Sequence, residues 1–106
     1  MSETLTIAGS AAASGSVDLR VQDLVGLELP AAKTGTVFSI HVSSDDSTFL
    51  PLYDWSSAAV SVTGVASTAT AHALDPVYAA GWGYAKVVAT SAQSSAIAIE
   101  AVTRMF

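Results

Sequence analysis

The sequence contains no cysteine. This absence excludes disulfide bonds, thiolate metal sites and cysteine nucleophiles. Cations are also scarce. The chain has 4 Lys and Arg residues against 9 Asp and Glu residues, which gives a net charge of −5 at pH 7. Nucleic acids and anionic membrane surfaces both require clustered positive charge. We therefore expect neither of them as a partner.

Long hydrophobic runs are missing as well. No apolar segment of the sequence approaches the ~20 residues that a membrane-spanning helix needs. Residues 1–16 lack the basic head and long apolar centre of a signal peptide. These patterns predict a protein that is made in a cytoplasm and is not exported by a visible signal.

Small apolar and hydroxyl residues dominate what is present. Hydrophobic residues make up 51% of the chain and charged residues 12%, which is typical of a folded rather than a disordered protein. The length of 106 residues suits one domain. A sparsely charged surface rich in Ser, Thr and Ala favours packing against other proteins. Simple solubility of an acidic protein explains the same composition equally well.

The clearest structural pattern covers residues 36–54. Phe38, Ile40 and Val42 alternate with polar residues, which is the period of a strand with one buried face. The polar residues 44–47 favour a turn, and a second apolar run follows. This pattern predicts a β-hairpin.

Similar alternation and turn signals recur along the chain. They predict further strands at residues 4–8, 17–21, 24–29, 60–62, 66–74, 84–90 and 96–102. Eight or nine short strands at roughly ten-residue spacing are typical of a sandwich or barrel. We therefore predict an all-β, jelly-roll-like sandwich of two antiparallel sheets packed face to face.

Finer features follow from small residues and from proline. Residues 1–16 are predicted to form an edge-type strand and a flexible linker or docking arm, and residues 17–106 the β-sandwich domain. Gly26 predicts a bulge or a close backbone approach. Pro51 predicts a strand edge, bulge or end, because proline cannot donate to a ladder.

Residues with catalytic or metal-binding chemistry are present without a supporting pattern. Serines, His41, His72 and several aspartates could form a triad on paper, but no G-x-S-x-G elbow occurs, so we predict no catalytic residues and no enzyme.

Four aspartates could offer oxygen ligands to calcium: Asp45, Asp46, Asp54 and Asp75. The EF-hand spacing is absent, so we expect no metal or cofactor. We expect the first two to accept hydrogen bonds from turn amides instead.

Large side chains near loops and the C-terminus are the candidate interface residues. They are Pro51, Trp55, Tyr78, Trp82, Tyr84, Met105 and Phe106. The aromatic rings have three possible roles, which the sequence leaves open: filling the end of the core, anchoring a protein interface, or stacking on sugars.

Five segments occur in an order that resembles a known group of proteins. They are LVGLELPAA at 24–32, FSIHVSSD at 38–45, FLPLY at 49–53, LDP at 74–76 and AGWGYAKV at 80–87. This order is similar to that of small proteins encoded in the structural gene clusters of tailed bacteriophages, over residues 17–104. The chain departs from the pattern at Asp46, where a turn glycine is usual, and at Ala79, where an aromatic residue is usual.

The resemblance implies a β-sandwich component of the virion that is made in the host cytoplasm. The favoured role is a non-enzymatic capsid decoration or cement protein on the outer head surface, present in many copies or as a homo-oligomer. Each copy would bridge subunits of the major capsid protein. The alternatives are a neck or tail accessory protein and a glycan-binding module that helps adsorption.

Overall fold

Nine β-strands form the regular structure of residues 1–105, the part of the chain that the computed structural model describes. They are β1 (Ser2–Ile7), β2 (Ala13–Asp18), β3 (Gln22–Leu29), β4 (Val37–Ser43), β5 (Leu50–Pro51), β6 (Ser61–Thr63), β7 (Thr70–Ala73), β8 (Tyr84–Ala89) and β9 (Ile97–Met105). These residues contain no helix, and hence none that could span a membrane. The predicted all-β class is confirmed.

The strands form one curled antiparallel sheet. Its order is β5-β4-β8-β2-β1-β9-β3-β7, and β6 pairs with the same edge of β4 that β5 occupies. Every ladder in the described chain is antiparallel. The sheet curls into a half-barrel whose two halves are joined between β1 and β2 by one residue pair, Ile7 with Ser14.

The core lies inside this curl. Ile7, Leu27 and Ile99 from one half are at most 1% exposed, as are Phe38 and Val87 from the other half. All five belong to one hydrophobic cluster. The buried face predicted for Phe38, Ile40 and Val42 is therefore confirmed.

The predicted hairpin is also confirmed, with a short second strand. β5 pairs with β4 through residues 50 and 51, and Pro51 lies on the outer edge of the sheet. The chain then leaves the edge as an excursion loop, residues 53–59. It returns at Val60, whose N–H donates to the Leu52 carbonyl at 2.9 Å. β6 then continues along the same edge of β4.

The N-terminal segment differs from the prediction. β1 is not an edge strand, because it lies between β2 and β9 and pairs with β9 along its whole length. Its alternate residues Leu5 and Ile7 are buried, which favours a central position. Residues 13–16 are not a linker either but belong to β2, where the Ser14 hydroxyl accepts a hydrogen bond from the Val87 N–H at 3.0 Å.

Gly26 shows both of the features predicted for it. The register between β3 and β9 shifts between Leu24 and Gly26, which marks a bulge. A Cβ atom at position 26 would lie 2.8 Å from the His72 carbonyl oxygen of β7. Glycine is therefore needed for β7 to approach β3 this closely.

Candidate functional site

The antiparallel topology sorts the loops onto two ends of the half-barrel. Neighbouring strands run in opposite directions, so alternate connections lie at the same end. One end, which we call the small-residue end, carries the loops at 8–12, 30–36, 64–69 and 90–96. The other end, which we call the aromatic end, carries Met1, Met105 and the loops at 19–21, 44–49 and 74–83.

The small-residue end consists mainly of Ala, Ser, Thr and Gly. Its four loops contain one charged side chain, Lys33. The Lys33 ammonium donates to the carbonyls of Pro30, Val65 and Thr68, at 2.9, 2.8 and 3.0 Å. This cation therefore holds two loops together.

The aromatic end holds most of the exposed large hydrophobic side chains. Of nine such residues among positions 1–105, six are at this end: Met1, Val21, Leu50, Val77, Trp82 and Met105. Two more, Tyr53 and Trp55, are on the excursion loop, and Val65 is at the small-residue end. Apolar side chains grouped on one part of a surface mark an interaction site more often than scattered ones do.

The excursion loop presents its tryptophan on a fixed scaffold. Trp55 is 94% exposed and Tyr53 is 58% exposed. Between them, the Asp54 carboxylate accepts hydrogen bonds from the Ala58 N–H and from the N–H and hydroxyl of Ser56, at 2.8 to 3.0 Å. These bonds, led by the one from Ala58, lower the pKa of Asp54. The carboxylate therefore stays ionised and holds the loop in shape.

Acidic groups surround this surface. Seven of the nine carboxylate side chains lie at or next to the aromatic end or on the excursion loop: Glu3, Asp18, Asp23, Asp45, Asp46, Asp54 and Asp75. Arg20 and Arg104 lie at the same end, but they pair with Asp18 and Asp23, at 2.6 and 3.5 Å. The remaining charge at this end is negative, which favours a partner surface with cations.

The Asp18–Arg20 pair is the most strongly shifted of these groups. The Arg20 guanidinium donates three hydrogen bonds to the Asp18 carboxylate, between 2.6 and 3.1 Å. The side-chain hydrogen bond from Arg20 lowers the pKa of Asp18 to about 2. The same guanidinium lies 5.3 Å from the centre of the Tyr84 ring, which keeps that ring from being freely exposed.

The predicted interface residues differ in how exposed the structure leaves them. Trp55, Trp82 and Met105 are exposed, and Pro51 is exposed on the sheet edge. Tyr78 is half-buried, so it belongs partly to the core. Phe106 lies outside the described residues.

Sequence reasoning missed other exposed side chains of the same surface. Leu50 and Val77 are each more than half exposed and belong to it. The missed signal is the assignment of loops to alternate ends of an antiparallel sheet.

The two histidines lie on different strands. His41 is on β4, which is second in the sheet order, and His72 is on β7, which is last. Partial burial, and secondly Lys86, lower the pKa of His41. The His72 ring hydrogen-bonds to the Thr70 hydroxyl, with Nε2 2.8 Å from Oγ1.

The paired aspartates of the β4–β5 loop have different roles. Asp45 accepts hydrogen bonds from the N–H groups of Ser47 and Thr48, at 2.9 and 3.1 Å, as predicted. Asp46 does not accept from a turn amide, since its carboxylate accepts from the Ser16 hydroxyl of β2, at 2.6 Å. Residues 1–105 include no group of three or more His, Asp or Glu side chains placed to hold a metal ion.

Comparisons of this chain with protein-family models, with curated proteins and with solved structures found no match.

Proposed function

We propose that this protein is a non-enzymatic structural component of a tailed-phage virion, bound as a decoration protein to the outer surface of the capsid. The phage assignment rests on the resemblance of residues 17–104 to small virion proteins. The mode of attachment rests on one observation, the concentration of exposed large apolar side chains at the aromatic end and on the excursion loop.

Attachment uses Trp55 as the main anchor. Tryptophan is enriched among the few residues that dominate interface binding energy, and Trp55 is 94% exposed on a hydrogen-bonded loop. The surrounding carboxylates select a capsid surface that carries Lys or Arg. Each copy bridges neighbouring subunits of the major capsid protein. Many copies then add their binding free energies and raise the work needed to rupture the shell.

The proposal includes a two-layer, jelly-roll-like interpretation of the half-barrel. β1, β3, β7 and β9 form one layer, and β2, β4, β5, β6 and β8 form the other. The single β1–β2 residue pair and the shared core support this division. Electron cryomicroscopy of decorated particles tests it, because facing sheets of a sandwich pack about 10 Å apart.

A matched pair of variants tests the docking surface. Trp55→Ala and Val65→Ala each truncate an exposed side chain, but Val65 lies at the small-residue end. Each variant is mixed with virions that lack this protein, and the particle-bound fraction is measured after sedimentation. We expect Trp55→Ala to weaken binding about 30-fold, which corresponds to an interface hot spot of ~2 kcal/mol. We expect Val65→Ala to bind like the original protein, and equal binding by both variants contradicts the proposed surface.

Copy number tests the position on the particle. A quantitative gel of purified virions should show hundreds of copies for a head decoration protein, against roughly a dozen or fewer for a neck or tail protein at a symmetric ring. If the protein is absent from the virions, the phage assignment is wrong.

Glycan binding is the second candidate function. The exposed rings of Tyr53 and Trp55, on one short loop, favour it, since aromatic faces stack on apolar sugar faces. A glycan array tests it with the original protein and with Trp55→Ala and Trp82→Ala. A signal that is lost in either variant, together with unchanged particle binding, favours the adsorption module over the decoration protein.

A further inference from the structure

Strands β6 and β7 leave a groove in the wall of the half-barrel. They are consecutive strands, joined by residues 64–69, yet within residues 1–105 no ladder pairs them with each other. β6 pairs with β4, and β7 pairs with β3, so each leaves one edge open. A cavity of about 510 Å³ lies between them, here called the seam groove. This volume is in the range of ~300–1,000 Å³ that is usual for ligand sites.

The backbone of β6 has unpaired groups on the groove side. The Val60 carbonyl accepts a hydrogen bond from the Ile40 N–H of β4 at 3.0 Å. The Gly64 N–H donates to the carbonyl of Thr36, the residue that precedes β4, at 2.7 Å. Successive residues of a strand direct their backbone groups to opposite sides of the strand. Val62 therefore also faces β4, whereas Ser61 and Thr63 direct their N–H and C=O groups into the groove.

The backbone of β7 faces the groove in the same way. The Leu74 N–H donates to the Val25 carbonyl of β3 at 2.9 Å. By the same alternation His72 bonds to β3, and the N–H and C=O groups of Ala71 and Ala73 face the groove. The described part of the chain supplies no backbone partner for these groups.

Unpaired strand edges are templates for an additional extended strand. The four positions that face the groove carry Ser, Thr or Ala, so their small side chains allow another backbone to approach. Asp54 and Asp75 line the end of the groove that is nearest the aromatic end. The described lining includes no Lys or Arg. The groove therefore favours a guest strand that carries a cation at that end.

The direction of the guest strand follows from the topology. β6 and β7 run in opposite directions, so a strand between them is antiparallel to one and parallel to the other. β7 has the longer edge, with 4 residues against 3 in β6, and antiparallel pairing is slightly more stable. β7 runs towards Asp75, so a strand antiparallel to it has its N-terminal end beside Asp54 and Asp75.

We propose that the seam groove binds an extended segment of a partner protein, which adds as a β-strand antiparallel to β7 and carries Lys or Arg at its N-terminal end. Binding uses the backbone groups of β6 and β7 and not the exposed aromatic side chains. It therefore differs from the capsid docking described above in the groups that it uses, and the two sites share only the carboxylates of Asp54 and Asp75.

A capped peptide, Lys-Thr-Val-Thr-Val-Thr, tests the site by titration into isotope-labelled full-length protein. We expect the backbone amide signals of Ser61, Thr63, Ala71 and Ala73 to shift and their hydrogen exchange to slow. The control peptide Thr-Val-Thr-Val-Thr-Lys places the cation at the wrong end, and we expect it to bind about tenfold more weakly. No shift up to ~1 mM peptide overturns the proposal. Equal binding of a peptide that is N-methylated at alternate amides also overturns it.

Variants of β7 separate backbone pairing from side-chain contact. Ala71→Pro removes an N–H that faces the groove, and proline is tolerated where the N–H of an edge strand is unpaired. Ala71→Thr keeps this N–H. We expect the proline variant to bind the first peptide about tenfold more weakly and the threonine variant to bind it normally.

A third variant keeps the test decisive if Ala71→Pro fails to melt cooperatively. Asp75→Asn leaves the backbone intact and removes one carboxylate from the mouth of the groove. We expect it to reduce the preference for the N-terminal Lys peptide over the C-terminal Lys peptide. An unchanged preference overturns the proposed orientation.

Discussion

Gln93 is the buried polar residue that joins the loops of the small-residue end. Its side chain is 1% exposed. Its Nε2 donates to the carbonyls of Thr34 and Ser91, and its Oε1 accepts from the Thr34 N–H, at 2.7 to 3.1 Å. Its own backbone bonds to Ser10 and Ala11. The Gln93 side chain thus hydrogen-bonds to backbone groups of the loops at 30–36 and 90–96. Its backbone bonds to the loop at 8–12.

We predict that Gln93→Leu lowers the free energy of unfolding by about 2 kcal/mol, since each buried group that loses its partner costs ~1–3 kcal/mol. The melting temperature should fall by about 10 °C for a domain of this size. Urea and thermal unfolding measure both quantities. Ser95→Ala in the same loop is the control, with an expected change below ~0.5 kcal/mol, which is usual for an exposed site. Equal stability of the two variants would show that the Gln93 bonds contribute nothing net.

Three aspartates should make the fold sensitive to acid. Hydrogen bonds from Thr48, Ser43 and Ser47, in that order, lower the pKa of Asp45. The pKa of Asp54 is lowered too, and that of Asp18 falls to about 2. A carboxylate whose pKa is lower in the folded state stabilises the fold above its unfolded pKa of about 3.9. That contribution is lost as pH falls through the folded pKa.

We therefore predict that stability falls as pH is lowered from about 4.5 to about 2. Urea unfolding at several pH values measures this slope. The double variant Asp45→Asn with Asp54→Asn removes two of the titrating groups but keeps an amide oxygen as acceptor, so its slope should be smaller. A slope that is unchanged in the double variant would assign the acid sensitivity to other groups.

The positions of the longer strands were predictable from the sequence, because each of them has one face in the core. The alternation around Phe38 and Ile40 identifies β4, and the isoleucines at 97 and 99 identify β9. Pairing partners were not predictable in this way. Alternation shows which face of β1 is buried, but it does not show that β2 and β9 flank it. The start of β2 was missed because Ala, Ser and Gly give no apolar period.

The candidate interaction surface was only partly predictable, for a related reason. Trp55 and Trp82 stand out by residue type. Leu50 and Val77 become part of the same surface only when the strand directions place their segments at one end. The open edges of β6 and β7 depend on which strands pair, so no local pattern reveals the seam groove.

At the level of the strand pair, Gly26 controls how closely β7 approaches β3. We predict that Gly26→Ala lowers the free energy of unfolding by about 1–3 kcal/mol, as overpacking does, because the new Cβ would lie 2.8 Å from the His72 carbonyl oxygen. Gly15→Ala in β2 is the matched control, since a Cβ there meets nothing within 4 Å. The control should change stability by less than ~1 kcal/mol. Equal losses in both variants would indicate a general cost of replacing strand glycines.

The two ends of the half-barrel differ in exposed apolar surface and in charge. The aromatic end combines exposed apolar side chains with most of the carboxylates, whereas the small-residue end has one cation that is bound by three carbonyls. A net charge of −5 that is concentrated at one end also orients the approach to a cationic surface. The protein should therefore attach to its partner in one orientation, with the small-residue end outwards.

The absence of native cysteine makes this orientation directly measurable. Val77→Cys places a unique thiol at the aromatic end, and Ala92→Cys places one at the small-residue end. Both positions are exposed in the single chain, so a maleimide should label both free variants equally. On the particle we expect position 92 to stay reactive and position 77 to be protected, because a well-packed interface excludes water and reagent. Mass spectrometry of the labelled protein gives the two fractions. The reverse pattern would place the small-residue end against the capsid, and full labelling of both positions would mean that neither end is the attachment surface.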